Sequence, residues 1–197
     1  ILKGTLPKGV YVMDFALKFL GDVGEKGFDG KMVEFTGNAL ENFSVSEKTG
    51  LCSMVSNTGA VSALINEDPR GKYVGEYEYD LSETVPCVTL PGSLYCTKRV
   101  TELKDTAISA GFIGGCMGGR IEDLRVAADI LKGNRVRTGV RLLIGSVSND
   151  VYLKAVNEGL IEIFLDSGAQ VTNPGCGSCR TTSIGVVGDG EVLLTTG

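Results

Sequence analysis

Apolar positions along the chain follow two periods, and each change of period marks an expected element. Between Gly9 and Leu20, the residues Val10, Phe15, Leu17 and Leu20 stand among polar ones at loosely helical spacing. Met32 to Thr36 alternates and reads as a strand. Asn38 to Phe43 is expected to be a short helix opened by an Asn cap, and a longer helix is expected from Ser46 to Met54. Ala60 to Ile65 is a short apolar element. Residues Asn66 to Leu103 break the pattern: Pro69, Pro86 and Pro91 fall here, with the acidic and aromatic run Glu76 to Asp80. This stretch reads as a linker with one or two short strands.

The pattern is cleaner from Ile108 onward. Ala110 to Gly114 reads as a short buried strand. Ile121 to Lys132 reads as an amphipathic helix with Ile121, Leu124, Ala128 and Leu131 on one stripe. Arg141 to Gly145 is a second apolar strand. A helix from Asp150 to Glu158 is capped by Ser148 or Asn149 and stopped by Gly159. Leu160 to Leu165, a short strand Gln170 to Thr172 and a last strand Val192 to Thr195 follow. Strands alternating with helices predict an α/β fold, with layered α/β domains and mostly parallel sheets. The expected division is 1–68, a linker over 69–107, and 108–197.

Composition narrows the chemistry. The 197 residues carry 19 basic and 24 acidic side chains, for a net charge of -5, and no basic run suited to a phosphate backbone, so nucleic acid is not expected as a partner. No apolar run approaches a membrane span, and no basic-then-apolar leader opens the chain, so no membrane partner is expected. A hydrophobic fraction of 43% is too high for a disordered tail. There is no histidine, which excludes histidine-ligated zinc and Ser-His triads within these residues. Glycine supplies 28 residues, against a usual share of ~7%, and this predicts tight turns and close backbone approaches. Six cysteines are too few for a secreted disulfide scaffold of this length. They read as cytoplasmic thiols used for metal or redox chemistry.

Two clusters carry that chemistry. The first is the run Gly114 to Arg120, G-G-C-M-G-G-R, between an expected strand and an expected helix. Its glycines do not follow G-x-G-x-x-G, so a dinucleotide site is not indicated. The second is Asn173 to Arg180, N-P-G-C-G-S-C-R, a C-x-x-C pair in a turn. Such a pair serves dithiol redox chemistry, a zinc site completed by two of Cys52, Cys87, Cys96 and Cys116, or an iron–sulfur cluster with one distant cysteine. Two unconnected buried thiols are the bland alternative.

Taken together, the clusters carry a family resemblance. Phe112 to Arg125, F-I-G-G-C-M-G-G-R-I-E-D-L-R, resembles the F-I-G-S-C-T-N-G-R-I-E-D-L-R signature of the aconitase superfamily, nearest its 3-isopropylmalate dehydratase large subunits and homoaconitase-type hydro-lyases. Pro174 to Cys179 is similar to that family's P-G-C-G-x-C signature, and Gly190-Glu191-Val192 with Thr195-Thr196 to its G-E-x…S-T close. Gly4 to Val10 resembles its G-x-L-P-x-G-V opening of the second domain.

The resemblance implies the α/β architecture of the aconitase iron–sulfur domains, with a second domain over 1–68 and a third over 108–197. It implies a [4Fe–4S] cluster held by Cys116, Cys176 and Cys179. Three thiolates leave one iron open as a Lewis acid for loss and re-addition of water on a small hydroxy di- or tricarboxylate, such as a malate derivative. Backbone N–H groups at Gly115, Gly118 and Gly177 are the candidates for holding the cluster. Arg120 and Arg180 are the candidates for binding an anionic substrate.

The chain also departs from the family. In the segment that resembles C-N-M-x-x-E-x-G-A, Ser53 stands for the Asn and Asn57 for the Glu, so these two become the candidate substrate contacts. Gly118 replaces the Asn of C-T-N-G-R, Gly92 a usual histidine, and Ser146 a common proline. Set against the family, the chain is expected to be a fragment. The rest of the large subunit and a small, swivelling subunit are the expected partners. A non-catalytic metal module and a dithiol redox protein are the competing readings. Cys87 and Cys96 read as thiols without a role.

Overall fold

A computed structural model describes residues 1–180 and 182–197, in two compact units, Ile1–Asp105 and Thr106–Gly197. Residues 69–105 lie within the first unit.

The first unit contains β1 (Leu2–Lys3), α1 (Val12–Val23), β2 (Met32–Phe35), α2 (Val45–Val55), β3 (Ser62–Ile65), β4 (Tyr79–Asp80), β5 (Cys87–Thr89) and β6 (Thr97–Arg99). β1 pairs with β4 and β2 with β3, both in parallel, while β5 and β6 form an antiparallel hairpin. α1 starts where the Tyr11 N–H donates to Asp14 Oδ2 at 2.9 Å. It buries Phe15, Phe19 and Leu20. The Phe19 ring lies 5.8 Å from Phe28, 5.6 Å from Phe35 and 5.8 Å from Tyr79, so aromatic packing supplies much of this core.

Two boundaries differ from expectation. The second helix begins at Val45, not Ser46, because Ser44 and Glu47 form a reciprocal capping box: Ser44 N–H to Glu47 Oε2 at 2.8 Å and Glu47 N–H to Ser44 Oγ at 3.2 Å. Residues Asn38–Asn42 form a 3-10 turn capped by Gly37, and Asn38 is its first residue rather than its cap.

Cys87 is held against α1. Its N–H donates to Asp14 Oδ1 at 3.0 Å and its thiol lies 3.3 Å from the Asp14 carbonyl. Burial, then the Asp14 carboxylate, push the thiol up to about 11. Since this group's folded value is raised, its contribution to stability is complete below pH 9 and lost as pH rises towards 11. At pH 8, alkylation of Cys87 is expected to be at least ~10-fold slower than that of the exposed Cys96, read by peptide mass mapping of the native protein. Equal rates would contradict this placement.

The second unit contains β7 (Ala110–Ile113), α3 (Gly115–Gly118), α4 (Ile121–Leu131), β8 (Arg141–Ile144), α5 (Asn149–Asn157), α6 (Leu160–Asp166), β9 (Gln170–Val171) and β10 (Leu193–Thr195). Its four strands are all parallel, in the order β10-β7-β8-β9. The expectation of α/β layers with mostly parallel sheets is met. Ser148, one of the two expected caps, accepts from the Val151 N–H at 3.3 Å. Gly159, in the left-handed region at φ 72°, ends α5 and leads directly into α6, so Leu160 to Leu165 is helical. α4, α5 and α6 bury Ile121, Leu124, Ala128, Ala155, Leu160 and Phe164 together with Ile144 of β8. Among the described residues no helix is long and apolar enough to cross a membrane.

Candidate metal centre

The second unit's sheet runs β7, β8, β9 in one direction and then returns to the far side of β7 with β10. In an open parallel sheet such a reversal leaves a crevice beyond the carboxyl ends of the strands, where ligands bind. Cys116 follows β7, and Cys176 and Cys179 follow β9. The β9–β10 connection crosses back over the sheet. Gly177 packs on the ring of Phe112 and Gly185 on Leu143, both side chains almost fully buried.

This packing brings the Cys116 turn to the loop that carries Cys176 and Cys179: a Cβ at Gly115 would lie 4.0 Å from the Cys176 carbonyl oxygen. Cys116, Cys176 and Cys179 are all exposed and unpaired by disulfides. The Cys179 thiol is nevertheless raised, first by partial desolvation, then by the neighbouring charges of Cys116 and Cys176. Among the described residues, no three His, Cys, Asp or Glu side chains are gathered tightly enough to share one metal ion.

The turns that present the sulfurs are built from backbone. Gly118 N–H donates to the Gly114 carbonyl at 3.3 Å and Gly119 N–H to Gly115 at 3.1 Å, forming the single turn of α3. Gly145 N–H bonds the Ile113 carbonyl at 2.9 Å, and Val147 N–H the Gly119 carbonyl at 2.9 Å, so the loop after β8 closes against this turn. Gly175 N–H bonds the Ser146 carbonyl at 3.1 Å, and Cys179 N–H the Cys176 carbonyl at 3.1 Å. A side chain at Gly118 would strike Thr196, and one at Gly177 would strike the Phe112 ring. These glycines are needed for space as much as for their N–H groups, and that of Gly118 is already committed.

Arg120 is placed at the site. Its Nε donates to the Cys116 carbonyl at 3.1 Å, and its N–H bonds Asp123 Oδ2 at 3.0 Å where α4 begins. Arg180 is exposed and follows Cys179 directly; its N–H bonds the Gly177 carbonyl at 3.3 Å. Ser53 and Asn57 belong to the first unit, at the end of α2 and in the 3-10 turn Ser56–Thr58 that continues it. Ser53 is exposed, Asn57 half-buried, and Asn57 Nδ2 donates to the Met54 carbonyl at 3.1 Å.

Sequence reading missed Thr196 and Phe112 as builders of the centre. The Thr196 hydroxyl accepts from Gly114 N–H at 3.1 Å and lies 3.4 Å from the Gly118 carbonyl, clipping β10 to the Cys116 turn. Phe112 is the floor beneath Gly177. Both stand inside the family signatures quoted above, but only the density of glycines around them pointed to a packing role.

Comparison with known proteins places the chain in a family. A family model described as the aconitase family (aconitate hydratase) matches residues 1–76 and 93–197. The chain is 36% identical, over 99% of its length, to 3-isopropylmalate dehydratase large subunit 2 of Archaeoglobus fulgidus, of which it covers 52%. It is 38% identical to the 3-isopropylmalate dehydratase large subunit of Elusimicrobium minutum, with the same two coverages. It is 32% identical, over 96% of its length, to a probable methanogen homoaconitase large subunit of Methanothermobacter thermautotrophicus, covering 50% of it. The chain thus spans about half the length of the curated relatives it matches.

Proposed function

This chain belongs to the aconitase family, and on that footing we propose that it is the cluster-bearing part of the large subunit of a hydro-lyase acting on a small hydroxy di- or tricarboxylate, such as a malate derivative. The observation that supports the reading is the approach of the Cys116 turn to the C-x-x-C loop beyond the carboxyl ends of parallel strands, where a Cβ at Gly115 would lie 4.0 Å from the Cys176 carbonyl oxygen.

The donor set fits a [4Fe–4S] cluster. All three groups are soft thiolate ligands, and each thiolate of a cubane binds a different iron, so the sulfurs spread more widely than around a single ion. When bound, the cluster supplies a Lewis-acidic iron for the substrate's hydroxyl and carboxylate.

The chain's own residues do the rest. Cys116, Cys176 and Cys179 hold the cluster, and the turns at Gly115, Gly118 and Gly177 let backbone close around it. Arg120, fixed by the Cys116 carbonyl, and Arg180 place positive charge beside an anionic site in an acidic protein. Ser53 and Asn57, in the first unit, take the substrate-contact role implied by the family resemblance. The designation of the relatives as large subunits supports a small-subunit partner together with the remainder of the large subunit. The free thiols support a reducing, cytoplasmic setting.

The test uses the full-length large subunit with its small-subunit partner, reconstituted anaerobically and given 3-isopropylmalate and related hydroxy acids. Loss of water leaves a C=C bond conjugated with a carboxylate, followed by ultraviolet absorbance. Turnover that depends on the cluster is the expected result. A fully loaded cluster without turnover on any such acid would overturn the catalytic assignment in favour of a metal-binding module, and a Cys176–Cys179 disulfide without iron would leave only dithiol chemistry.

A further inference from the structure

We infer that the β5–β6 hairpin is a positioning element for residues 53–59, with Tyr95 as the positioning residue that fixes where Asn57 stands. The role of Asn57 toward substrate rests on the function proposed above; its attachment to Tyr95 does not.

The hairpin lies along one stripe of α1. Cys87 N–H bonds Asp14 Oδ1 at 3.0 Å, and Thr97 Oγ1 donates to the Leu17 carbonyl at 3.0 Å. At Gly21 a Cβ would come within 3.1 Å of Thr97 Oγ1. Asp14, Leu17 and Gly21 are three and four residues apart, so they share a helix face. At the end of this stripe Tyr95, half-buried between the exposed Leu94 and Cys96, donates its phenol hydroxyl to the Asn57 carbonyl at 2.5 Å.

That carbonyl belongs to the turn ending the α2 helix, where backbone acceptors lack partners along the helix. The residues after it are held differently: Phe28 N–H bonds the Thr58 carbonyl at 3.1 Å and Gly30 N–H the Gly59 carbonyl at 3.2 Å. The Thr58 side chain is fully buried, its hydroxyl bonded to the Val55 carbonyl at 2.7 Å. Asn57 therefore sits between the end of α2 and a turn held by Phe28 and Gly30, and its own main-chain tie reaches across to the hairpin. The family match omits residues 77–92, which include β5, so the strand that docks the hairpin on Asp14 lies outside what the family model describes. A device built on such a segment adjusts the placement of Asn57 without altering α2.

The test is Tyr95→Phe in the full-length enzyme, with Lys98→Ala on the same hairpin as control. Hydrogen exchange by mass spectrometry and the kinetics on 3-isopropylmalate are both measured. Tyr95→Phe keeps the ring and removes the hydrogen bond. Exchange over 53–59 is expected to rise about 3–10-fold, with α1 and the β7–β10 sheet unchanged. KM is expected to rise by a similar factor while kcat changes less than about twofold. Lys98→Ala is expected to leave both readouts at wild-type values. Unchanged exchange over 53–59, or loosening spread evenly through the first unit, overturns the inference, as does faster exchange in an active enzyme with KM unchanged. If the wild-type enzyme dehydrates no hydroxy acid, the proposed function fails, and the exchange measurement alone decides the positioning role.

Discussion

Cys116→Ala in the anaerobically purified full-length protein is expected to abolish cluster assembly while leaving the fold in place. Iron and acid-labile sulfide, roughly four of each per chain in the wild type, fall below about one. The reason is the layout of the donors. Cys176 and Cys179 share one turn and so hold one side of a cluster, whereas Cys116 reaches the site from a different strand end. With alanine there, two thiolates remain on a single loop, too few to keep a cubane. Cys116 is exposed on the one-turn helix α3 and contributes nothing to the core, so the unfolding midpoint is expected to move by no more than about 2 °C. Cys96→Ala, which removes an exposed thiol from the hairpin of the first unit, is expected to keep its iron. Wild-type iron content in Cys116→Ala would remove the basis of the metal-centre assignment.

Gly177→Ala is expected to cost about 3 kcal/mol in unfolding free energy and most of the cluster, without touching a sulfur. Two effects add. Gly177 sits at φ +50°, in the left-handed region, and an added Cβ would collide with the ring of Phe112. That ring cannot retreat, because Phe112 is 1% exposed on an inner strand of the sheet. The loop must lift instead, carrying Cys176 and Cys179 away from Cys116. Gly188→Ala is the matching control. Its Cβ would meet nothing closer than 3.8 Å, at the Glu191 carboxylate, and its φ is not in the left-handed region. Denaturant unfolding and iron assay of both variants check the claim, and a Gly177→Ala protein as stable as Gly188→Ala would refute it.

The parts of the fold legible in the sequence were those carried by local chemistry. The helix from Ile121 and the strands from Ala110 and Arg141 were read from their apolar patterns, within a residue of their ends. Ser44 was overlooked as a cap although Ser44-x-x-Glu47 spells out a capping box; the apolar pattern alone drew the boundary too late. The hairpin of residues 87–99 looked like linker because Pro91, Gly92 and the short apolar runs carry little propensity. Its order comes from distant partners, Asp14, Leu17 and Asn57, which no local window contains. At the site, the cysteines and Arg120 were visible as motifs. Thr196 and Phe112 stood in the same signatures without a readable role, since a threonine and a phenylalanine announce nothing until the sheet puts them under glycines.

The clip between Thr196 and Gly114 also bears on how the protein is made. The two residues are 82 positions apart, so the turn that carries Cys116 leaves the ribosome long before the hydroxyl that closes it. At 5–20 residues per second the nascent chain waits between about 4 and 16 s for β10 to arrive. Until then one edge of β7 has no neighbour and the turn is open. Assembly of the centre thus follows translation of β10 rather than accompanying the emergence of the first ligand.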